Sequence, residues 1–298
     1  MLKKYLAVVC IPFAFAACRS NVEVNYKVTK PVNIELYAES YYSTLDLQGE
    51  EKLGTVNAAY VDETYSGRGD TIDVKRSFAI DKSRGYLKNS MPADLQWRLP
   101  DVRTTGLGQR VIALSGFEDY DSLLNRIPMP ERWRKQLQNP DYNKHLERQE
   151  RHRWEMDHIL TGPVPSRSNV TELLRSRGRL NFALIHIDSV VTETFNNIDS
   201  RKCFAYTVYL SEAESFPYYI WEQHVNSHIG TEKFQAYYQG LKGEYKTAYW
   251  VALDPNTGIP CQEREVKQGT HTMVNPATGD TATFQSRITL ERLYTVKK

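Results

Sequence analysis

Two similar turn motifs near the C-terminus constrain the fold more than any other feature of the chain. Each has an Asp or Asn followed by proline, and a glycine in its last place (residues 254–258 and 275–279). Proline restricts its own φ and glycine accepts left-handed backbone, so such motifs join antiparallel strands. Residues 245–294 therefore predict a meander of three strands connected by these two turns.

Strand patterns also occur in the N-terminal part of the chain. Residues 22–28 alternate apolar and polar side chains with period two, which is typical of a half-buried strand. The other predicted strands of this part are residues 32–37, 56–65, 72–80 and 110–114. Residues 67–70 (sequence Gly-Arg-Gly-Asp) contain an integrin-type tripeptide, but a tight hairpin turn between two strands explains them better.

The middle of the chain changes to helical spacing. Residues 117–165 predict a helical insertion, and its longest helix runs from about Asp141 to Leu160. Apolar positions are sparse in this helix and charged ones are many, so we expect it to be mostly solvated. Its histidines, which we place on that solvated face, are His145, His152 and His158. Residues 163–168 are expected to form a loop.

These patterns predict an α+β fold. Antiparallel strands from both ends of the chain would form one sheet, with the helices on one of its faces. The length is compatible with a single β-rich domain over residues 18–298 that contains the helical insertion 117–165.

The first 18 residues resemble the signal of bacterial lipoproteins. Lys3 and Lys4 precede an apolar stretch (residues 5–15) that is too short to span a bilayer, and Ala16 and Ala17 lead to Cys18. The resemblance to a lipobox implies that residues 1–17 are a signal peptide and that Cys18 is lipidated. An ordinary secretory signal, or a cytosolic chain with an apolar start, are the alternatives.

The resemblance to lipoproteins also implies a location. In these families an aspartate after the cysteine retains the protein at the inner membrane, and this chain has Arg19 there. The implied location is the outer membrane of the cell envelope. No later stretch approaches 18 consecutive apolar residues, so the lipid would be the only membrane attachment.

The charge balance argues against a nucleic-acid partner. The chain has 38 Lys and Arg and 36 Asp and Glu, and removal of the signal takes away Lys3 and Lys4. The mature chain would therefore carry no net charge, whereas nucleic-acid binding requires a clustered basic surface.

Two cysteines remain after the signal is removed and Cys18 is modified. Cys203 and Cys261 could form a disulfide, because an exported protein folds in an oxidising compartment. The alternative is a pair of unrelated buried thiols.

Signs of catalysis are weak. His224 and His228 are four residues apart, which on a helix is zinc-ligand spacing, but the glutamate that follows the first histidine in zinc peptidases is missing. The chain also lacks a Gly-x-Ser-x-Gly elbow, a P-loop and a dinucleotide-binding glycine motif. We therefore expect no cofactor and no enzymatic activity, with a metal-dependent hydrolase as the weaker alternative.

The signal ending at Cys18, the strand meander and the helices set against a sheet together resemble half-barrel lipoproteins of the LolA and LolB kind. This resemblance implies a curved antiparallel sheet that wraps around helices and leaves an apolar cavity. The 19 tyrosines and 5 tryptophans also suit a partly wet, partly packed surface. The leading hypothesis is a lipid-anchored envelope protein that binds an apolar ligand or another envelope component. The alternative is an assembly protein that docks a partner through helix 141–160.

Overall fold

The computed structural model describes residues 20–45, 51–78, 101–116, 140–181, 186–213, 242–274, 279 and 281–297. These ranges contain twelve strands and two helices. The strands are β1 (Asn21–Val24), β2 (Val32–Leu45), β3 (Glu51–Arg68), β4 (Thr71–Phe78), β5 (Val102–Leu107), β6 (Arg110–Ser115), β7 (Gly162–Pro165), β8 (His186–Ile198), β9 (Arg201–Ala213), β10 (Lys242–Leu253), β11 (Pro260–Val274) and β12 (Thr281–Val296). The helices are α1 (Pro140–Asp157) and α2 (Thr171–Ser176).

Ten of the strands form one antiparallel sheet. Its order is β6-β5-β4-β3-β2-β12-β11-β10-β9-β8, so the first long strand of the chain pairs with the last one. Strands β1 and β7 form a separate two-stranded sheet. The predicted antiparallel sheet built from both ends of the chain is confirmed, although helix makes a smaller contribution than an α+β label suggests.

The sheet curves around helix α1. Arg153 of α1 lies within ion-pair distance of Glu63 on β3 and of Glu263 on β11, which are three strand spacings apart. In a flat sheet those strands would be separated by about 14 Å. One side chain reaches both only because the sheet bends. We call the side that contacts α1 the concave face.

Two apolar clusters lie on the concave face. One joins β1, β7, α2 and the end of α1 to strands β8, β9 and β10, with Ile159, Leu160 and Phe204 fully buried. The other joins β2, β3 and β4 to Trp154 of α1. Alternate residues of each strand supply these contacts, as period-two patterning requires.

One end of the sheet is closed by the N-terminal segment; we call it the capped end. The turn between β10 and β11 lies there, and the amide of Gly258 donates to the carbonyl of Asp254 at 2.8 Å. Gly258 has φ +72°, and a Cβ on it would lie 1.9 Å from the Tyr26 ring, so glycine is required. The turn predicted at residues 254–258 is confirmed; most of the other, residues 275–278, lies outside the described residues.

The middle of the chain differs from expectation in two ways. Helix α1 matches the predicted helix, but the part of the chain from Trp154 to Leu160 is largely buried rather than solvated, because the curved sheet surrounds it. Residues 163–165, expected to be part of a loop, belong to strand β7, which pairs with β1. Residues 117–139 of the insertion lie outside the described residues. In the described part of the chain, no helix combines the length and apolar character needed to cross a membrane.

Candidate functional site

The end of α1 presents charged side chains to the concave face. Glu150, Arg153 and Asp157 are spaced three and four residues apart, so they share one face of the helix. Trp154 lies beside them and is 3% exposed. The side of a surface helix that faces its own protein is usually apolar, but in α1 this side is largely ionic. Charged side chains of the sheet lie opposite it. We call this group of charged and tyrosine side chains the buried network.

The first part of the buried network joins α1 to β3 and β4. Nε of Arg76 donates to Oε1 of Glu63 at 2.6 Å, and Nη1 of Arg76 donates to Glu150. Thr104 of β5 donates to Glu150 as well, at 3.0 Å. Burial opposes ionisation of Glu150, but Arg76 and Arg153 outweigh burial and hold its pKa below the ordinary value. Glu150 is therefore an ionised carboxylate held between two guanidinium groups.

The second part joins α1 to β10, β11 and β12. Nη1 of Arg292 donates to Oε2 of Glu263 at 2.6 Å, and the hydroxyl of Tyr294 also donates to Glu263. Burial raises the pKa of Glu263, but Arg153 and Arg292 outweigh it and lower the pKa to about 2. Glu263 is thus ionised although its side chain is almost fully buried.

The pKa of Asp157 is shifted in the opposite direction. Burial, followed by the negative charge of Glu263, raises its pKa well above the ordinary value. The hydroxyl of Tyr249 lies 2.6 Å from Oδ1 of Asp157 and 3.0 Å from Oε2 of Glu263. One hydroxyl hydrogen can serve only one carboxyl group. A proton on Asp157 resolves this, because Asp157 then donates to Tyr249 and Tyr249 donates to Glu263.

The charges of the buried network balance once Asp157 is protonated. Three carboxylates then face three guanidinium groups: Glu63, Glu150 and Glu263 against Arg76, Arg153 and Arg292. A buried cluster without net charge avoids the large desolvation penalty of an isolated ion. The balance explains why so many ionisable groups can occupy the inside of the sheet.

Tyrosines satisfy the last carbonyl groups of α1. The hydroxyl oxygen of Tyr206 lies 2.8 Å from the carbonyl oxygen of Met156 and 3.0 Å from that of Asp157, so its hydrogen can be donated to either. The hydroxyl of Tyr26 donates to the carbonyl of Leu160, three residues beyond the end of α1. These groups have no partner within the helix, so a buried helix end needs such donors. The tyrosines thereby hold the end of α1 in the sheet.

His158 is buried against aromatic rings. It stacks on Trp154 with 4.0 Å between ring centroids, and its Nδ1 lies 2.8 Å from the carbonyl oxygen of Trp154. Burial lowers its pKa to about 4, so the ring is neutral at physiological pH. The expectation of a solvated position is wrong for His158. His152 is half-buried, and the side chain of His145 lies outside the described residues.

The buried network is suited to holding a helix rather than to catalysis. Its carboxyl groups and arginines are enclosed by the sheet and by α1, and a substrate would have to displace the helix to reach them. The same burial limits which part of helix 141–160 could dock a partner. Residues 154 and 156–160 of that segment are at most 4% exposed, so they are committed to this protein's own sheet.

The other residues selected from the sequence form two groups. Cys203 and Cys261 are joined by a disulfide, with 6.7 Å between their Cα atoms, on the face of the sheet opposite α1. Cys18, His224 and His228 lie outside the described residues. Across the ranges that are described, no three His, Cys, Asp or Glu side chains are grouped to hold a metal ion.

Sequence reasoning missed the buried network because it searched α1 for apolar positions. A signal was present in the strands. Glu63 falls in phase with Val61 and Tyr65, and Arg76 in phase with Ile72 and Val74, so both occupy core-facing positions. A charged residue in the core phase of a strand indicates a buried partner of opposite charge.

Comparison with known proteins gives little similarity. No family model and no curated protein matches the sequence. Among solved structures, one described as lipid–protein interactions in lipovitellin aligns with 90% of this chain at 10% identity and a TM-score of 0.37. The aligned part covers 25% of the lipovitellin chain. A similarity this low assigns neither a fold family nor a function.

Proposed function

We propose that this protein is a lipid-anchored cell-envelope protein, most simply of the outer membrane, that binds an apolar ligand on the concave face of its sheet. Helix α1 closes one part of that face through the buried network. The ligand would occupy the part beyond α1, toward the end of the sheet opposite the capped end.

Beyond the network, strands β2, β3 and β12 carry small and aliphatic side chains on the concave face, next to Glu265 and Lys267 of β11. Ala38 of β2 lies directly opposite Arg292 on one side and Ala59 on the other, and Ser40 lies opposite Leu290. The two alanines, Ser40 and Leu290 are half-buried, whereas Ile34 and Leu36 nearer the capped end are buried. Small side chains on the inside of a curved sheet leave room for a ligand, and this observation carries the proposal.

The disulfide supports an extracytoplasmic location. Disulfides form and persist in oxidising compartments such as the bacterial periplasm. Cys203 and Cys261 are both fully buried, so the bond belongs to the folded core. This agrees with the export signal that the first 18 residues resemble.

Ligand binding can be tested by filling the proposed space. Ala38→Trp places a large ring on the concave face, and we expect it to reduce uptake of a fluorescent fatty acid at least tenfold. Glu39→Trp is the matched control, because Glu39 is the next residue of β2 and points to the opposite face. Native protein purified from membranes should also carry lipid that is detectable by mass spectrometry.

Two results would remove the carrier proposal. The first is native protein that takes up no fluorescent fatty acid and carries no lipid. The second is equal uptake by Ala38→Trp and Glu39→Trp while circular dichroism shows both to be folded.

The anchor is tested separately. Cells labelled with radioactive palmitate should incorporate it into the native protein and not into Cys18→Ala. An unlabelled product that keeps its full mass would show that no lipid anchor is present. That result would leave ligand binding by the sheet to be judged on its own measurement.

A further inference from the structure

Four connections between neighbouring strands lie at the capped end. Residues 69–70, 108–109 and 199–200 connect neighbouring strands there, as does the segment 254–259. The N-terminal segment crosses this end, and the amide of Asn25 donates to the carbonyl of Pro255 at 2.7 Å. The capped end is therefore a defined surface of the molecule and not a single loop.

An open cleft lies on this surface beside the start of the described chain. It is lined by Ser20, Asn21, Phe195, Lys202, Pro255 and Asn256. The carbonyl of Ser20 accepts a hydrogen bond from the amide of Ser166 at 3.1 Å, which fixes the N-terminal segment at the cleft. A group attached to Cys18, two residues before Ser20, must therefore stay close to this cleft.

The length of chain between Cys18 and Ser20 limits the distance of Cys18 from the cleft. Cys18 is two positions before Ser20, and an extended chain advances at most about 3.6 Å per residue. A lipidated Cys18 therefore lies within about 7 Å of Ser20. An acylated cysteine sits at the membrane surface, so that surface must reach the cleft.

The chemistry of the capped end matches an anionic lipid surface. Phe195 is 38% exposed, and Nζ of Lys202 lies 4.4 Å from the centroid of its ring. Leu107 and Val296, also at strand ends, are 47% and 37% exposed. Basic side chains exceed acidic ones among the exposed residues there: Lys27, Lys30, Arg68, Arg110 and Lys202 against Glu23, Asp70 and Asp199. Exposed apolar groups among basic residues favour the headgroup region of anionic membranes.

We infer that the capped end rests on the anionic membrane surface, with Phe195 and Lys202 in the headgroup region. This inference rests on the proposed lipid anchor and adds an orientation to it. Strand β12 has 16 residues, so the opposite end of the sheet stands about 50 Å from the membrane at 3.3 Å per residue. The proposed ligand site then opens away from the membrane that anchors the protein.

Lysine labelling of the full lipoprotein in vesicles tests the orientation. A membrane-impermeant amine reagent is applied, and labelling is read by mass spectrometry at Lys202 and at Lys246. Lys246 is exposed and lies seven residues from the capped end of β10, about 23 Å away, so it is an internal control. A variant with a long Gly/Ser spacer between Arg19 and Ser20 frees the body from the surface.

The quantity measured is the labelling of Lys202 divided by that of Lys246. In phosphatidylcholine vesicles, we expect this ratio to be at least about fivefold lower for the protein with the natural tether than for the spacer variant. Adding phosphatidylglycerol should protect Lys202 in the spacer variant too. Phe195→Ser should reverse that protection, whereas Tyr209→Ser, on an exposed aromatic in the middle of β9, should not.

The intact mass of the protein shows whether Cys18 is acylated, so the lipid anchor and the membrane orientation can be judged separately. If Cys18 is acylated and the labelling of Lys202 relative to Lys246 is the same with the natural tether as with the spacer, the orientation is wrong and the anchor stands. If Cys18 carries no lipid but phosphatidylglycerol vesicles still protect Lys202, the anchor is wrong and the membrane-binding surface stands. Absence of both acylation and protection would overturn both.

Discussion

The hydroxyl of Tyr249 lies 2.6 Å from Oδ1 of Asp157, and this contact ties strand β10 to the last turn of helix α1. Both side chains are buried, and Glu263 lies 3.0 Å from the same hydroxyl. Tyr249 therefore connects a carboxyl group whose pKa is raised to one whose pKa is lowered. The stability of the helix in the sheet should depend on this hydroxyl.

Removing the hydroxyl with Tyr249→Phe should lower the free energy of unfolding by about 1–3 kcal/mol, because it leaves a buried carboxyl group without its partner. Urea unfolding at neutral pH measures the change. Tyr209→Phe is the matched control, since Tyr209 is 45% exposed and its loss should change stability by less than about 0.5 kcal/mol. Equal effects of the two variants would mean that the Tyr249 hydroxyl does not stabilise the network.

Asp157→Asn tests the raised pKa of Asp157. A carboxyl group whose pKa is higher in the folded state favours folding at low pH, and that contribution is lost as pH rises from its unfolded pKa toward its folded one. The asparagine variant has no such loss. Above about pH 4, native protein should therefore lose stability relative to the variant by about 1.4 kcal/mol per pH unit until Asp157 ionises.

Urea unfolding of both proteins across this pH range measures the difference. Asp70→Asn, at an exposed aspartate in the turn between β3 and β4, controls for the substitution itself. A stability difference between native protein and Asp157→Asn that stays constant with pH would show that Asp157 is ionised in the folded state.

Glu263→Gln should change the free energy of unfolding more than Asp157→Asn does, and in the opposite direction. Glu263 compensates Arg153 and Arg292, and its removal leaves buried positive charge, which typically lowers stability by about 3–5 kcal/mol. Its lowered pKa, about 2, means that its contribution is present above the ordinary glutamate pKa and is lost as pH falls toward 2. The destabilisation by Glu263→Gln should thus shrink in acid. Destabilisation no greater than that of Asp157→Asn at neutral pH would contradict the assigned charges.

Gly106 allows Trp154 to lie directly on strand β5. A Cβ at Gly106 would be 2.2 Å from Cζ2 of Trp154, and the indole Nε1 donates to the carbonyl of Gly108 at 2.9 Å. Gly106→Ala should therefore lower the free energy of unfolding by about 1–3 kcal/mol through overpacking. A smaller ring relieves the overlap, so the same substitution should be less harmful in a Trp154→Phe background. Additive effects in that double-mutant cycle would show that the two residues do not compete for space.

Local patterns were sufficient to predict several strands of the sheet. Period-two alternation in β2, β3 and β4 and the turn at residues 254–258 depend on neighbouring residues, so they are readable in one sequence. The order of strands and the pairing of β2 with β12 are decided by contacts between distant residues. The architectural resemblance suggested a curved sheet, but no motif located its concave face.

The role of α1 was not predictable from the helix alone. Glu150, Arg153 and Asp157 look like solvated residues until Glu63 and Glu263 are placed opposite them. Glu63 lies 90 residues before Arg153 in the sequence, and Glu263 lies 110 residues after it. Hydrophobic pattern analysis treats every charged position as exposed, and it fails where charges compensate each other in a core.

The disulfide gives a prediction that links stability to compartment. Cys203 and Cys261 are 58 residues apart, and closing a loop of that length stabilises a fold by about 4 kcal/mol in the chain-entropy model. Both cysteines pack against Ala205 and Ala252, so Cys203→Ala/Cys261→Ala fits the same space. The double variant should unfold at lower urea concentration than oxidised native protein, and dithiothreitol should shift only the native curve toward it. If dithiothreitol leaves the unfolding of native protein unchanged while mass spectrometry shows both thiols free, the bond contributes nothing to stability, and folding of this domain does not depend on an oxidising compartment.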